Sequence, residues 1–176
     1  SNTAAFRFLS LGATGQGCTD VTIRNCNIKG GANNLSNIFG IFLGSNTGSL
    51  STGNAGGVDF DNISILENHI WNCRNGIFAR GTSTIPFADQ MQNFVVSGNV
   101  IGHDNVAESV TEYGMYLGYA DAPQVTNNEV YNLYYDVSKW GIYFTSNINN
   151  ALISKNKVHS IKQPGTTGYN SVGIVF

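Results

Sequence analysis

One short pattern recurs along the chain and constrains its fold more than any other feature. The pattern is apolar-x-apolar-x-x-Asn-x-apolar, and its copies are VTIRNCNI, ISILENHI, FVVSGNVI, PQVTNNEV and ALISKNKV, which begin at Val21, Ile63, Phe94, Pro123 and Ala151. Alternation with period two predicts a strand, followed by a bend and a second short strand. The sixth position is nearly always asparagine, and its residues are Cys26, Asn68, Asn99, Asn128 and Asn156.

A second pattern, Gly-apolar-x-apolar, alternates with the first. Its copies are GIFL (40–43), GIFA (76–79), GMYL (114–117), GIYF (141–144) and GIVF (173–176). Strand geometry sends the second and fourth residues of each copy to one face and the third residue to the other. We therefore expect a shared core formed by Ile41, Ile77, Met115, Ile142 and Ile174, and an outward aromatic stripe formed by Phe42, Phe78, Tyr116 and Tyr143.

The two patterns together predict a stack of similar units. Each unit has too little apolar surface to fold alone, so successive units must pack on one another with like residues in register. We predict an all-β fold, a right-handed parallel β-helix (solenoid) of about five to six coils. In that stack the asparagine column becomes an internal ladder, whose amides satisfy backbone groups at the bends. Asparagine also tolerates the left-handed backbone that such bends use.

The pairing of GIxF-like and VxIxxNxI segments resembles the parallel β-helix repeat of the pectate-lyase-like superfamily over nearly the whole chain. The Gly, Asn and Thr-rich style is also similar to β-helix segments of large secreted or surface proteins of the Bacteroidota. The resemblance implies the fold but not one activity, because the superfamily includes polysaccharide lyases, glycoside hydrolases, tailspikes and adhesins.

The composition limits the partners and the cellular location that we expect for this chain. The formal net charge is −2 with nine scattered Lys and Arg residues, which gives no basic stripe for nucleic acid. No apolar run is long enough to insert into a membrane. We expect an extracellular or cell-surface location, and a single segment 1–176 that belongs to a larger chain. The oligomeric state, and the choice between buried thiols and a bridge from Cys18 or Cys26 to Cys73, stay open.

The corners between strands hold the candidate site, which we place on the loops 102–113, 131–140 and 159–172. Aromatic rings beside carboxylates suit carbohydrate, because sugar C–H faces stack on rings while hydroxyl groups bond to acids and amides. The candidate carbohydrate-binding residues are His103, Asp104, Glu108, Glu112, Tyr113, Tyr134, Tyr135, Asp136, Lys139 and Trp140. The alternative is that the rings only close the loops against the stack. For the stripe, too, a polysaccharide track or docking face competes with purely structural stacking.

These observations favour a non-catalytic scaffold or stalk that presents a carbohydrate- or protein-binding face. The competing hypothesis is a polysaccharide lyase or glycoside hydrolase that uses the same loops. A hydrolase needs two suitably spaced carboxylates, for which the candidates are Asp104, Glu108, Glu112 and Asp136. A lyase needs a base such as Lys139, His103 or His159. No cofactor is implied, although Asp59, Asp61 and Asp89 are weak candidates for binding Ca²⁺.

Overall fold

The structure is a computed structural model, and it describes residues 2–11, 17–31, 37–46, 50–82 and 90–176. The described chain is almost entirely β, with one 3-10 turn at Val106–Glu108 and no α-helix in these ranges. All the paired strands run parallel. The all-β class and the parallel pairing predicted by the repeat are therefore confirmed.

The strands form four parallel sheets. Sheet 1 has six strands: β1 (Thr3–Ser10), β4 (Ile38–Ser45), β7 (Cys73–Arg80), β11 (Val110–Gly118), β15 (Lys139–Phe144) and β19 (Ser171–Val175). Sheet 2 has five: β3 (Asn27–Lys29), β6 (His69–Trp71), β10 (Val100–Ile101), β14 (Glu129–Tyr131) and β18 (Lys157–His159).

Sheet 3 also has five strands: β2 (Thr22–Arg24), β5 (Ser64–Leu66), β9 (Val95–Ser97), β13 (Gln124–Thr126) and β17 (Leu152–Ser154). Sheet 4 has three: β8 (Met91–Gln92), β12 (Ala120–Asp121) and β16 (Ile148–Asn149). Neighbours within every sheet follow chain order. Each pass of the chain therefore gives at most one strand to a sheet, and sheet 4 receives strands from only three passes.

Like residues lie in register from one pass to the next and build the core. Ile41, Ile77, Met115 and Ile142 are paired along sheet 1 and are fully buried, whereas Ile174 on β19 is 40% exposed. The glycine that opens each motif allows the sheets to approach closely. A Cβ at Gly114 would lie 2.4 Å from the Cγ1 atom of Val130 on sheet 2, so a larger residue there would push the two sheets apart.

The asparagine column forms a continuous hydrogen-bonded ladder. The Oδ1 atom of Asn99 accepts from the backbone N and from Nδ2 of Asn68, each at 3.0 Å. Asn128 and Asn156 repeat the same two bonds to the pass before them. At Cys26 only the backbone N bond to Asn68 is formed, and the thiol donates to the Arg24 carbonyl instead.

The left-handed bends fall on the residue before each ladder position, not on the ladder asparagine that we expected to adopt this backbone. The five bend residues have φ between 55° and 70°, and they are Asn25, Glu67, Gly98, Asn127 and Lys155. This displacement has a physical reason. The bend residue turns the chain, while the following asparagine keeps an ordinary backbone and directs its amide toward the neighbouring pass.

Candidate functional site

The outer face of sheet 1 carries two columns of aromatic rings. Phe42, Phe78, Tyr116 and Tyr143 pair in sequence along one column, as the third residues of the Gly motifs. Phe42 stacks on Phe78 with ring centroids 5.0 Å apart, and Phe78 stacks on Tyr116 at 4.8 Å. Stacked rings in adjacent strands stabilise the sheet.

The early part of this stripe is covered. Phe42 and Phe78 are fully buried, Tyr116 is 8% exposed, and Leu50 from the connection after β4 packs against the same cluster. The burial of these three residues therefore fits the alternative in which this part of the stripe serves structural stacking. Sequence alone did not show which outward residues a loop would cover, because the path of a long connection is not encoded in strand periodicity.

The late part is accessible and forms what we call the aromatic patch: Tyr113, Trp140 and Tyr143. Tyr113 stacks on Trp140 at 4.7 Å with an interplanar angle of 10°, and Tyr143 meets both rings edge to face. Tyr113, Trp140 and Tyr143 are half-buried. Burial, followed by the charge of Glu112, raises the pKa of Tyr113, so its hydroxyl is a neutral hydrogen-bonding group at physiological pH.

The charged groups beside the patch are already engaged. The Arg74 guanidinium donates from Nε to Glu112 Oε2 at 2.5 Å and from Nη1 to Asn37 Oδ1 at 3.1 Å. Lys139, which comes directly before Trp140, is fully buried, and its Nζ donates to the Val137 carbonyl at 2.5 Å. Burial lowers the pKa of Lys139, and the nearby charge of Asp136 acts in the opposite direction.

The 131–140 corner contacts the 159–172 corner. Asp136 Oδ1 accepts from Gln163 Nε2 at 3.1 Å and from Thr167 Oγ1 at 2.7 Å. Tyr134 forms an isolated parallel bridge with Lys162 and is half-buried, as is Tyr135. These contacts support the alternative in which this corner closes against the next pass.

His103, Asp104 and Glu108 lie elsewhere, over the outer face of sheet 2. His103 stacks with His69 at 6.2 Å and with Trp71 at 6.0 Å. Glu108 binds the Lys29 ammonium at 2.9 Å, and this bond lowers the pKa of Glu108. The structure thus divides the predicted site between two sheets.

The acids proposed for catalysis are held by different partners. Glu108 pairs with Lys29 on sheet 2, Glu112 pairs with Arg74 beside sheet 1, and Asp136 bonds to two side chains of the 159–172 corner. A glycosidase needs two carboxyl groups that flank one scissile bond. Acids that serve separate ion pairs and loop contacts do not favour this arrangement.

The candidate calcium ligands Asp59 and Asp61 are half-buried carboxylates. Asp61 accepts from the backbone N of Gln92, and its pKa is raised by burial and by the charges of Asp59 and Asp20. Asp89 lies outside the described residues. No three His, Cys, Asp or Glu side chains of the described chain group as metal ligands would. The three cysteines are free, and burial raises the pKa of Cys73 to about 12.

No protein-family model matches the chain, and neither a curated protein nor a solved structure is detectably similar to it. Across the part of the chain that the structure describes, no helix has the length and apolar character needed to cross a membrane. A depression lined by Asp121, Ile148, Asn149 and Asn150 lies at the edge of sheet 4. None of these four residues belongs to the aromatic patch.

Proposed function

We propose that the four sheets are the faces of one right-handed parallel β-helix of the pectate-lyase-like kind, and that it serves as a non-catalytic extracellular scaffold. Parallel strands that pair from pass to pass, with like residues in register and an internal asparagine ladder, are what a solenoid requires. Such a stack is stiff, because hydrogen bonds join neighbouring passes in up to four sheets.

The scaffold presents the aromatic patch to polysaccharide. The observation that carries this proposal is the change along sheet 1 from buried rings at Phe42 and Phe78 to half-exposed rings at Trp140 and Tyr143. Half-exposed rings of this size offer a surface that combines apolar contact with hydroxyl and indole N–H groups. Such a surface suits sugar rings, which have apolar C–H faces and polar edges.

The charges around the patch favour a neutral glycan. A polyuronate would need cations free to meet its carboxylates, yet Arg74 is neutralised by Glu112, and the Lys139 ammonium is buried and bonded to a carbonyl. Breaking a partly buried ion pair to bind an acidic sugar would cost more than the new contact returns. We therefore expect binding to uncharged polymers such as β-glucans, xyloglucan or galactomannan.

The test is a comparison of affinities for a panel of soluble neutral polysaccharides. Trp140→Ala and Tyr143→Ala should each weaken binding at least about fivefold, because a buried aromatic contact contributes roughly 1 kcal/mol or more. The matched control is Tyr119→Ala, which removes a half-buried tyrosine that lies under Arg80 and outside the patch. If all three variants lost affinity equally, or none lost affinity, the aromatic patch would not be the binding site.

The alternative, a polysaccharide lyase or hydrolase, makes a different prediction. Incubation of the protein with pectin, xylan and β-glucan should release reducing ends or unsaturated products if the loops are catalytic. The separate partners of Glu108, Glu112 and Asp136 lead us to expect no products. Turnover that is abolished by Glu112→Gln would instead establish an active site there.

A further inference from the structure

All three histidines of the chain lie over one face, the outer surface of sheet 2. His69 is the first residue of β6, and His159 is the last residue of β18. Ile70 on β6 and Val130 on β14 point inward and are buried. His103 follows β10 and stacks over His69 and Trp71. We call His69, Trp71, His103, Tyr131 and His159 the histidine face.

The histidine face runs along the stacking direction. Tyr131 pairs with His159, and their rings stack at 5.5 Å. His69 and His159 belong to strands that are three positions apart in sheet 2. At the ordinary strand spacing this separates the two strands by roughly 14 Å. The face therefore fits several units of a linear polymer better than one small ion.

The charged neighbours of the histidines nearly balance at neutral pH. Lys29 and Lys157 are positive, whereas Asp104, Glu108 and Glu129 are negative. Bonds to Lys157 and then to His159 lower the pKa of Glu129, just as Lys29 lowers that of Glu108. These carboxylates stay ionised in mild acid, and imidazole is the side chain whose charge ordinarily changes between pH 5 and 8.

The hydrogen bonds indicate which imidazoles can take a proton. His159 has Nε2 at 3.0 Å from Glu129 Oε1 and Nδ1 at 3.2 Å from the Ser160 hydroxyl, so both nitrogens can donate. His69 Nε2 lies 3.0 Å from the Gly102 carbonyl and must donate there, which leaves Nδ1 for the second proton. His103 Nδ1 already accepts from the backbone N of Asn105 at 3.1 Å, which opposes protonation at that atom.

We propose that the histidine face is a second binding surface, separate from the aromatic patch, and that it binds acidic polysaccharide in mildly acidic conditions. Protonation of His69 and His159 changes the face from a net charge of −1 to +1. The whole molecule has a formal net charge of −2 with neutral histidines, so two added protons bring it to zero. An anionic chain then meets a local positive surface on a molecule that no longer repels it.

The experiment measures binding of the protein to dextran sulfate at pH 7.5 and pH 5.5 at constant ionic strength, with uncharged dextran as the control polymer. Affinity for dextran sulfate should rise at least about tenfold at the lower pH and should fall with added salt. The double variant His69→Gln/His159→Gln should lose most of this rise. Asp121→Asn, which removes one negative charge from sheet 4, should keep the rise in affinity at the lower pH.

Three outcomes would overturn the proposal. The first is an affinity of the native protein that does not change with pH. The second is a pH response that survives in the double variant, which would place the effect on other groups. The third is tightening on phosphatidylserine vesicles without tightening on dextran sulfate, which would indicate a lipid surface. Loss of neutral-polysaccharide binding in Trp140→Ala with an intact pH response would show that the two faces are independent.

Discussion

Replacing asparagine by leucine should have different effects at three positions of the chain. Two of these positions belong to the internal ladder, and the third is a buried asparagine outside it. Asn99 is fully buried, accepts two hydrogen bonds from Asn68, and donates from Nδ2 to the Ile65 carbonyl at 2.8 Å and to Asn128 Oδ1 at 3.0 Å. Leucine at this position leaves the backbone N–H of Asn68 and one N–H of its side-chain amide without their partner. At about 1–1.5 kcal/mol for each unpaired donor, Asn99→Leu should cost about 2–3 kcal/mol.

Asn156 is the matched control, because it makes the same bonds but is only half-buried. Its Oδ1 accepts from Asn128 twice, and its Nδ2 donates to the Val125 carbonyl at 2.7 Å. Water reaches a half-buried side chain and can replace part of these bonds, so Asn156→Leu should cost less than Asn99→Leu, about 1 kcal/mol. Asn75 should behave in the opposite way. It is fully buried and neither of its amide atoms has a partner, so Asn75→Leu should stabilise the protein by about 1 kcal/mol.

Urea unfolding at equilibrium, followed by far-ultraviolet circular dichroism, measures all three free energies. A similar cost for Asn99→Leu and Asn156→Leu would refute the reasoning, because it would mean that burial of the ladder does not set its value. A destabilising Asn75→Leu would show that the amide of Asn75 is satisfied after all.

Three further predictions concern the bends, the buried lysine and the covered stripe. Ala122 has φ of 51°, so Ala122→Asn should raise the free energy of unfolding by about 0.5–1 kcal/mol, and a lower melting temperature would contradict the strain. The folded-state pKa of Lys139 is lowered, so the unfolded chain binds more protons and the free energy of unfolding should increase from pH 8 to pH 9.5. Lys139→Met should lose this increase. A variant whose free energy of unfolding kept the same dependence on pH would exclude a buried ammonium at Lys139. Phe78→Ala should cost about 3–5 kcal/mol in chemical unfolding, as in a core, whereas a cost below about 1 kcal/mol would mean that the ring is exposed.

The sequence predicted the repeating elements because their cause is local. Period-two alternation separates Ile77 from Phe78 whatever the rest of the chain does, and the Asn column marks a bend in every pass. Like residues then fall into register, because only that arrangement buries Ile41, Ile77 and Met115 together.

The positions of the left-handed residues were missed for a reason that is also local. Glu67 and Lys155 have positive φ although neither is a usual turn residue. The geometry of the bend imposes this backbone, and stacking in a parallel sheet compensates for the strain. The available signal was the column formed by Asn25, Gly98 and Asn127, which stand one position before the ladder in the other three copies.

The candidate site was less predictable because it depends on angles between sheets and on the paths of connections. Residues 102–113 were treated as one corner, yet His103 and Glu108 face sheet 2 while Tyr113 stacks on Trp140 of sheet 1. Nothing in the sequence marked His69 and Trp71 as part of a binding site. Their grouping with His103 becomes visible only when β6 and β10 are placed side by side.

The most direct test of the central claim uses tryptophan fluorescence, since the chain has only two tryptophans, Trp71 and Trp140. In a Trp71→Phe variant the emission reports on Trp140 alone, in the middle of the aromatic patch. Titration with soluble neutral polysaccharide should shift or quench this emission in a saturable way, while polygalacturonate should not. Saturable binding of a neutral glycan that leaves the emission of Trp140 unchanged would contradict the account.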